Sequence, residues 1–373
     1  MARKQFLSFL LIFSLLFSCA SALAEADDDD DWDDNVDDAW EMEHPLHSGD
    51  YAYALLDDGT VEITSYGGAD TEIVIPDTLD GKPVTAIGEL AFHFSLSLTS
   101  VTIPDSVTCI SKRAFSCCYN LMSIALPSGL TAIEPGTFEL CNSLTSIAIP
   151  DSITTIAEDA FVSCKALQSF TLSPNHPYFF LADGALCRTV DNTLLFYPNA
   201  RENRTYRIPD GIAAISAYAF YDCDLLESVV IPDSITQIPE RAFYGCSALA
   251  SVSLPDSLTE IGTAAFSGCS ALTGIRIPAA ITEIINHTFS GCTSLATLEI
   301  PDSVTKIGDY AFFGCTSLTS IAIPDSVTAI GNGAFSNCTA LTLTVTPDSY
   351  AAEYAKANNI PYTYPDANDW LNN

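Results

Sequence analysis

Residues 301–320 read PDSVTKIGDYAFFGCTSLTS, and the chain keeps returning to that phrase. Phe at 92, 115, 138, 161, 220, 243, 266, 289, 312 and 335 marks the copies, and every step between them is 23 residues except that from Phe161 to Phe220. Prolines at 104, 127 and 150, then at 209, 232, 255, 278, 301, 324 and 347, keep the same step. A fixed period in this range is the signature of a solenoid, in which each repeat is one rung.

The chemistry of one rung follows from its residues. Leu298 and Ile300 alternate with Thr297 and Glu299, the period of a strand. Pro301 closes that strand because it has no N–H for a ladder. Asp302-Ser303 suits a turn in which the Asp side chain bonds nearby backbone. Val304 and Ile307 form a second short apolar pair. Asp309–Phe313 is expected to form one turn of helix anchored by Phe312, after which Cys315 and Leu318 lead into the next strand. One rung buries about six apolar side chains, worth roughly 1.5–3 kcal/mol each. Ordering its backbone costs more, at roughly 1–2 kcal/mol per residue. The rungs must therefore stack, each covering the apolar face of the next. At about 4.7–4.9 Å per strand, the expected product is a rod roughly 55 Å long with a continuous parallel sheet along one face. The fold class expected is an α/β repeat solenoid, with short helical or irregular turns opposite the sheet and a cap at each end.

The pattern L-x-x-I-x-I-P-D-S-V-T-x-I-x-x-x-A-F-x-x-C, as it stands from Leu295, resembles the BspA-type leucine-rich repeat family. The resemblance spans roughly residues 50–362, and period, Pro, Phe and Cys all keep step through it. It implies a secreted or surface protein of a microbe, and an adhesin that attaches to matrix proteins or to other cells.

The chain divides accordingly. Residues 1–24 read as a signal peptide: Arg3 and Lys4, then the apolar run Phe6–Phe17, then small residues. Two exits stay open. Cleavage after Ala22-Leu23-Ala24 would leave Glu25 as the terminus, whereas Leu16-Phe17-Ser18-Cys19 resembles a lipobox that would acylate Cys19. Residues 25–49 open with twelve acidic side chains and no basic one between 25 and 43, a self-repelling block expected to be disordered. Residues 50–75 read as an N-terminal hairpin cap, Tyr51–Leu56 and Val61–Tyr66 flanking Asp57-Asp58-Gly59-Thr60. Rungs occupy 76–173 and 209–340. Between them, 174–208 reads as an inserted island of hairpins, one repeat plus twelve residues. Residues 341–364 form the C-terminal cap, with a helix over Ser349–Asn358 and a closing strand over Ile360–Tyr364, and 365–373 is a tail.

Nine of the thirteen cysteines lie three residues after a repeat Phe, from Cys118 to Cys338. That register predicts a column of buried thiols acting as small apolar groups, with oxidation between neighbouring rungs open on distance grounds. Zinc ligation is not expected, because no Cys-x-x-Cys pair is present. The turn aspartates at 105, 151, 210, 233, 256, 302, 325 and 348 should form a ladder. Turn geometry explains them, and association of a cation such as calcium is the alternative.

Catalytic patterns are absent. The five histidines are scattered, and no GxSxG, GxxxxGK or GxGxxG opening a helix occurs. No enzyme activity, cofactor or metal is expected. Residues 44–373 carry 12 basic against 35 acidic side chains, which opposes nucleic-acid binding. The outward strand positions are mostly Ser, Thr and Ala, with Arg276 and Glu299 the charged exceptions. Such a face lacks the aromatic and Arg anchors of tight interfaces. Candidate partner-binding residues are therefore Arg276 and Glu299 together with the island aromatics Tyr178, Phe179, Phe180, Phe196 and Tyr197. The partner expected is a protein or glycan on a host or microbial surface, and a membrane only through a lipid anchor. A spacer that displays another component is the alternative.

Overall fold

The computed structural model describes residues 45–365, so the leader, Cys19, most of the acidic segment and nearly all of the tail lie outside the described residues. The rungs are as the repeat dictates, but each carries two strands rather than one. In the rung quoted above, Thr297–Glu299 is the first strand and Lys306–Ile307 the second. Between them Val304 N–H donates to Pro301 O at 3.0 Å, closing a turn over Asp302-Ser303. The Ser303 hydroxyl then donates to Ile281 O of the preceding rung at 2.6 Å. The same serine bond recurs at Ser152, Ser234, Ser257 and Ser326. Ser303→Ala should therefore cost roughly 1 kcal/mol in urea unfolding; no measurable loss would mean that the serine is there only for the turn.

Rungs pair in parallel at the repeat spacing. Gly274, Ile275 and Arg276 lie opposite Thr297, Leu298 and Glu299, and Glu283-Ile284 opposite Lys306-Ile307. Two series of parallel strands thus run along the rod, each divided into short sheets of a few strands, where the sequence suggested one continuous sheet. The expected helical turns are absent. Among the described residues the one α-helix is Tyr350–Ala357, so the fold is a β-solenoid of leucine-rich repeat type and not α/β. The reason lies on either side of the Phe: Tyr310 (φ 53°) and Gly314 (φ 71°) both take left-handed backbone, which a right-handed helix cannot pass through. Short turns bonded three residues apart replace it, as in Phe313 N–H to Tyr310 O at 3.1 Å.

The core is a file of rings. From Phe220 to Phe335, successive rings stack with centroids 4.7 to 5.8 Å apart. The thiol column lies beside it. Each sulfhydryl donates to the carbonyl of the ring residue in the rung before, as Cys292 does to Phe266 O at 3.2 Å and Cys223 to Tyr197 O at 3.8 Å, and all the described cysteines are free.

Both ends are closed. Tyr51–Leu55 and Val61–Tyr66 form the N-terminal hairpin, with Leu46–Ser48 added at its edge, and Tyr66 stacks on Phe92 at 5.3 Å. At the other end Ser349 caps the helix by accepting from Ala352 N–H. Tyr354 covers Phe335 edge-on at 6.3 Å, and Tyr362–Thr363 pairs in parallel with the strand at Leu343. Among the described residues no helix is long and apolar enough to cross a membrane.

The island interrupts the run of regular rungs. Phe179–Ala182, Ala185–Arg188 and Thr193–Phe196 form an antiparallel meander. Its last strand, however, pairs in parallel with Ala214–Ile215 of the next rung. Tyr197 then occupies the slot of a repeat Phe: its N–H donates to Ala219 O at 2.8 Å, as Phe220 donates to Ala242 O, and its ring stacks on Phe220 at 5.3 Å. Counted through Tyr197, the step to Phe220 is again 23 residues. The insertion therefore contains a rung in disguise.

Candidate functional site

Because pairing is in register, side chains one repeat apart stand side by side on the face of the first-strand ladder. On the C-terminal half this face carries a groove of about 830 Å³ lined by Gly274, Arg276, Thr297, Glu299, Ser320 and Ala322. A second hollow of about 460 Å³ adjoins it, lined by Arg207, Asp210, Asp233, Ser253, Asp256 and Arg276. Arg276 lines both. Its side chain is 71% exposed and is paired with Asp256 at 2.6 Å, a contact that water screens and that contributes little to stability. Glu299 stands next to it across the ladder. Gly274 lacks a side chain at the groove, and a Cβ there would come within 3.1 Å of the Thr297 hydroxyl.

Arg207 escaped the sequence reading. It lies in Thr205–Arg207, where the period had been lost to the island, and it pairs with Asp210 at 3.1 Å. The signal was present: Tyr-Arg-Ile-Pro at 206–209 repeats the form of Ile-Arg-Ile-Pro at 275–278. The groove is consequently more charged than the Ser/Thr/Ala count suggested.

The island aromatics do not form one surface patch. Phe179, Phe196 and Tyr197 are buried and cannot present a ring to a partner in this structure. Phe196 meets Phe161 edge-on at 5.2 Å, and Tyr197 packs on Tyr206 at 4.7 Å. The reason is the disguised rung: an interrupted ring file would leave a cavity, and these residues fill it. Phe180 is half-buried, and Tyr178 is exposed. Phe180 lines a third hollow, of about 660 Å³, with Leu172, His176, Leu181, Thr189 and Asn192. His176 holds the hollow's wall. Its Nε2–H donates to Pro150 O at 2.9 Å, and its Nδ1 accepts from the N–H groups of Tyr178 and Phe179, which sets its tautomer. At the outer turn the bond from the Arg188 guanidinium holds Asp191 down to about 2.

Several of the turn aspartates accept hydrogen bonds from the next rung. Asp105 accepts from Ser128 N–H and hydroxyl at 3.1 Å, Asp151 from Ser173 at 2.6 Å, and Asp325 from Thr346. Among the described residues no group of three or more His, Cys, Asp or Glu side chains is placed to hold a metal ion. These contacts tie neighbouring rungs together and are not the bonds to nearby backbone of the same turn that the sequence suggested.

Comparison with known proteins agrees with this architecture. The model of the BspA type leucine-rich repeat region matches in six copies, over residues 69–180 and 213–342, more than half of the chain. The gap between the two matches, 181–212, covers most of the island. No curated protein matches. Among solved structures, a leucine-rich repeat protein from Eubacterium ventriosum is 24% identical over 81% of this chain and 95% of its own, with a TM-score of 0.62. The pneumococcal vaccine antigen PcpA is 17% identical over 87% and 99%, with a TM-score of 0.60. At those identities the likeness is one of fold. A leucine rich cell surface protein from Faecalibacterium prausnitzii is 30% identical over 85% of this chain and 97% of its own, with a TM-score of 0.48. With period, ring file and thiol column all in register, the chain belongs to the BspA type leucine-rich repeat family.

Proposed function

We propose that the protein is an exported or cell-surface, non-catalytic binding protein of adhesin type, and that its strand face takes a protein or glycan of a host or microbial surface. The observation that carries this reading is the groove at Arg276 and Glu299. Its exposed charges stand on a face whose fold requirement is met from the other side of the strands, by the buried Ile275 and Leu298. Nothing in the packing asks for an Arg or a Glu there. The surroundings are small hydroxyl and methyl side chains, so affinity for any single site would be modest and attachment would rest on many contacts or many copies. Description of the Faecalibacterium relative as a cell surface protein supports the location. Export itself would rest on residues 1–24. Tethering would rest on Cys19, and the intact mass of the mature protein separates a diacylated Cys19 from a free Glu25 terminus.

The test is an array of immobilised matrix proteins and glycans probed with the whole mature chain. The expected result is saturable binding that weakens roughly tenfold, about 1.4 kcal/mol, in the Arg276→Ala/Glu299→Ala double variant. Both positions are solvent-exposed, so melting should not move. Saturable binding that the double variant leaves intact would place the site elsewhere. An array with no saturable binding at all would favour the spacer.

A further inference from the structure

The island meander leaves one strand edge open. Phe179–Ala182 pairs with Ala185–Arg188 on one side, and among the described residues no strand pairs with it on the other. In an antiparallel pair, backbone groups point alternately toward the neighbour and away from it. Thr189 N–H donates to Tyr178 O at 2.9 Å, which puts Tyr178, Phe180 and Ala182 in the bonded phase and turns Phe179 and Leu181 to the open side. The Phe179 N–H goes to Nδ1 of His176 at 3.3 Å. The Phe179 carbonyl and both backbone groups of Leu181 are left facing outward, with no bond to another part of the described chain.

Such an edge is a template for a further strand, and proteins commonly blunt it with charge, proline or a bulge. Phe-Phe-Leu-Ala has none of these, and the register shift of the meander lies on its far side, between Leu186 and Cys187. Beside the edge is the hollow of about 660 Å³, walled by Leu172, Phe180 and Leu181 with Thr189 and Asn192, and no Asp, Glu, Lys or Arg lines it. The charged side chains of the meander are already paired, Arg188 with Asp191 at 2.6 Å and Asp183 with Arg201 at 3.0 Å.

We propose that this edge is a strand-addition site, at which an uncharged, extended segment of a partner protein pairs with Phe179–Ala182 and sets an apolar side chain into the hollow. The charge balance selects that occupant. An acidic segment would be repelled by a chain with 35 acidic against 12 basic side chains over residues 44–373, and a basic one would find no carboxylate in the hollow. Three main-chain bonds hold the segment: one N–H to Phe179 O, and one bond each to the N–H and carbonyl of Leu181. The main chain supplies affinity and the hollow chooses the side chain. His176 fixes the start of the edge through the N–H groups of Tyr178 and Phe179, so little order is lost when a strand joins. The site shares no lining residue with the Arg276 groove and does not depend on it.

The test titrates the mature full chain with an acetylated, amidated Thr-Val-Leu-Val-Thr peptide. Saturable binding is expected, with slowed hydrogen exchange at the Leu181 amide. Of two analogues N-methylated at alternate residues, one should bind at least tenfold more weakly and the other should not, because a strand turns only every second N–H to its neighbour. Leu181→Asp, at a side chain 41% exposed, should weaken the parent peptide at least tenfold at unchanged melting temperature. Arg276→Ala/Glu299→Ala should leave it unchanged, which separates this site from the groove. No saturable binding, equal loss in both analogues, or binding that Leu181→Asp leaves intact would each overturn the proposal. So would a dimer in sedimentation that Leu181→Asp disperses, since the occupant would then be a second copy of the chain.

Discussion

Phe266→Ala is expected to lower the free energy of unfolding by roughly 3–5 kcal/mol, the cost of a large-to-small change in a packed core. Phe266 is fully buried, with Phe243 on one side at 5.3 Å and Phe289 on the other at 5.8 Å, nearly parallel to both. Its N–H donates to Thr288 O, and its carbonyl accepts the Cys292 thiol. The backbone around the vacated slot is therefore pinned on both sides, and the cavity cannot collapse. In a stacked array the loss falls on two interfaces at once, because each rung is stabilised by its two neighbours. Denaturant unfolding checks this directly. A loss below about 1 kcal/mol would contradict the packing of the ring file.

Tyr197→Ala should do more than destabilise: it should divide one unfolding transition into two. The buried apolar residues form two clusters that meet at the island, one reaching forward to Phe196 and the other back to Ala182. Among the described residues neither strand ladder pairs across that junction: Ser169–Thr171 does not pair with Thr205–Arg207, nor Thr155–Ile156 with Thr193–Phe196. The halves are joined there by side chains and a few bonds. These include Ala200 N–H to Leu167 O at 2.8 Å, Ser163 to Asp222 at 2.8 Å and Ser216 to Glu158 at 3.1 Å. Lys165 reaches both Asp222 and Asp224. Tyr197 is the ring that ends the second file at the junction, stacked on Phe220 at 5.3 Å and beside Phe196, which meets Phe161 of the first, at an expected direct cost of roughly 3–5 kcal/mol on truncation. Cooperativity in a quasi-one-dimensional array depends on the nearest-neighbour term, and weakening the one where the two cores meet uncouples the halves. Tyr197→Phe keeps the ring and loses only the hydroxyl bond to Asn203 O; roughly 1 kcal/mol and a single transition are expected. Calorimetry distinguishes the cases. A single sharp transition in the alanine variant would show that the polar bonds alone couple the two cores.

The groove was only partly legible in the sequence, for a related reason. Arg276 and Glu299 could be placed on the outward face by counting, because a strict period makes the neighbours of each residue known. Arg207 could be placed the same way only by counting back one repeat from Val230 into the edge of the island. The aromatics of residues 178–197 looked like a surface cluster because strand alternation cannot tell which side of a meander faces the rod. Phe196 turns inward against Phe161 and Phe170, and Phe179 against His176.

What the sequence by itself determined is the stacking. A 23-residue period with Pro, Phe and Cys in register admits no other way to bury that many apolar side chains, since one rung cannot stand alone. It also determined the C-terminal helix, whose Ser349 cap is a local signal. Tertiary structure decided the rest. The turn around each Phe has the composition of a short helix, yet it must bring the chain back over the preceding rung. Only left-handed residues such as Tyr310 and Gly314 turn it tightly enough. Tertiary structure also made Tyr197 a member of the ring file, because that identity lies in what stacks above and below it and not in its distance from the previous phenylalanine.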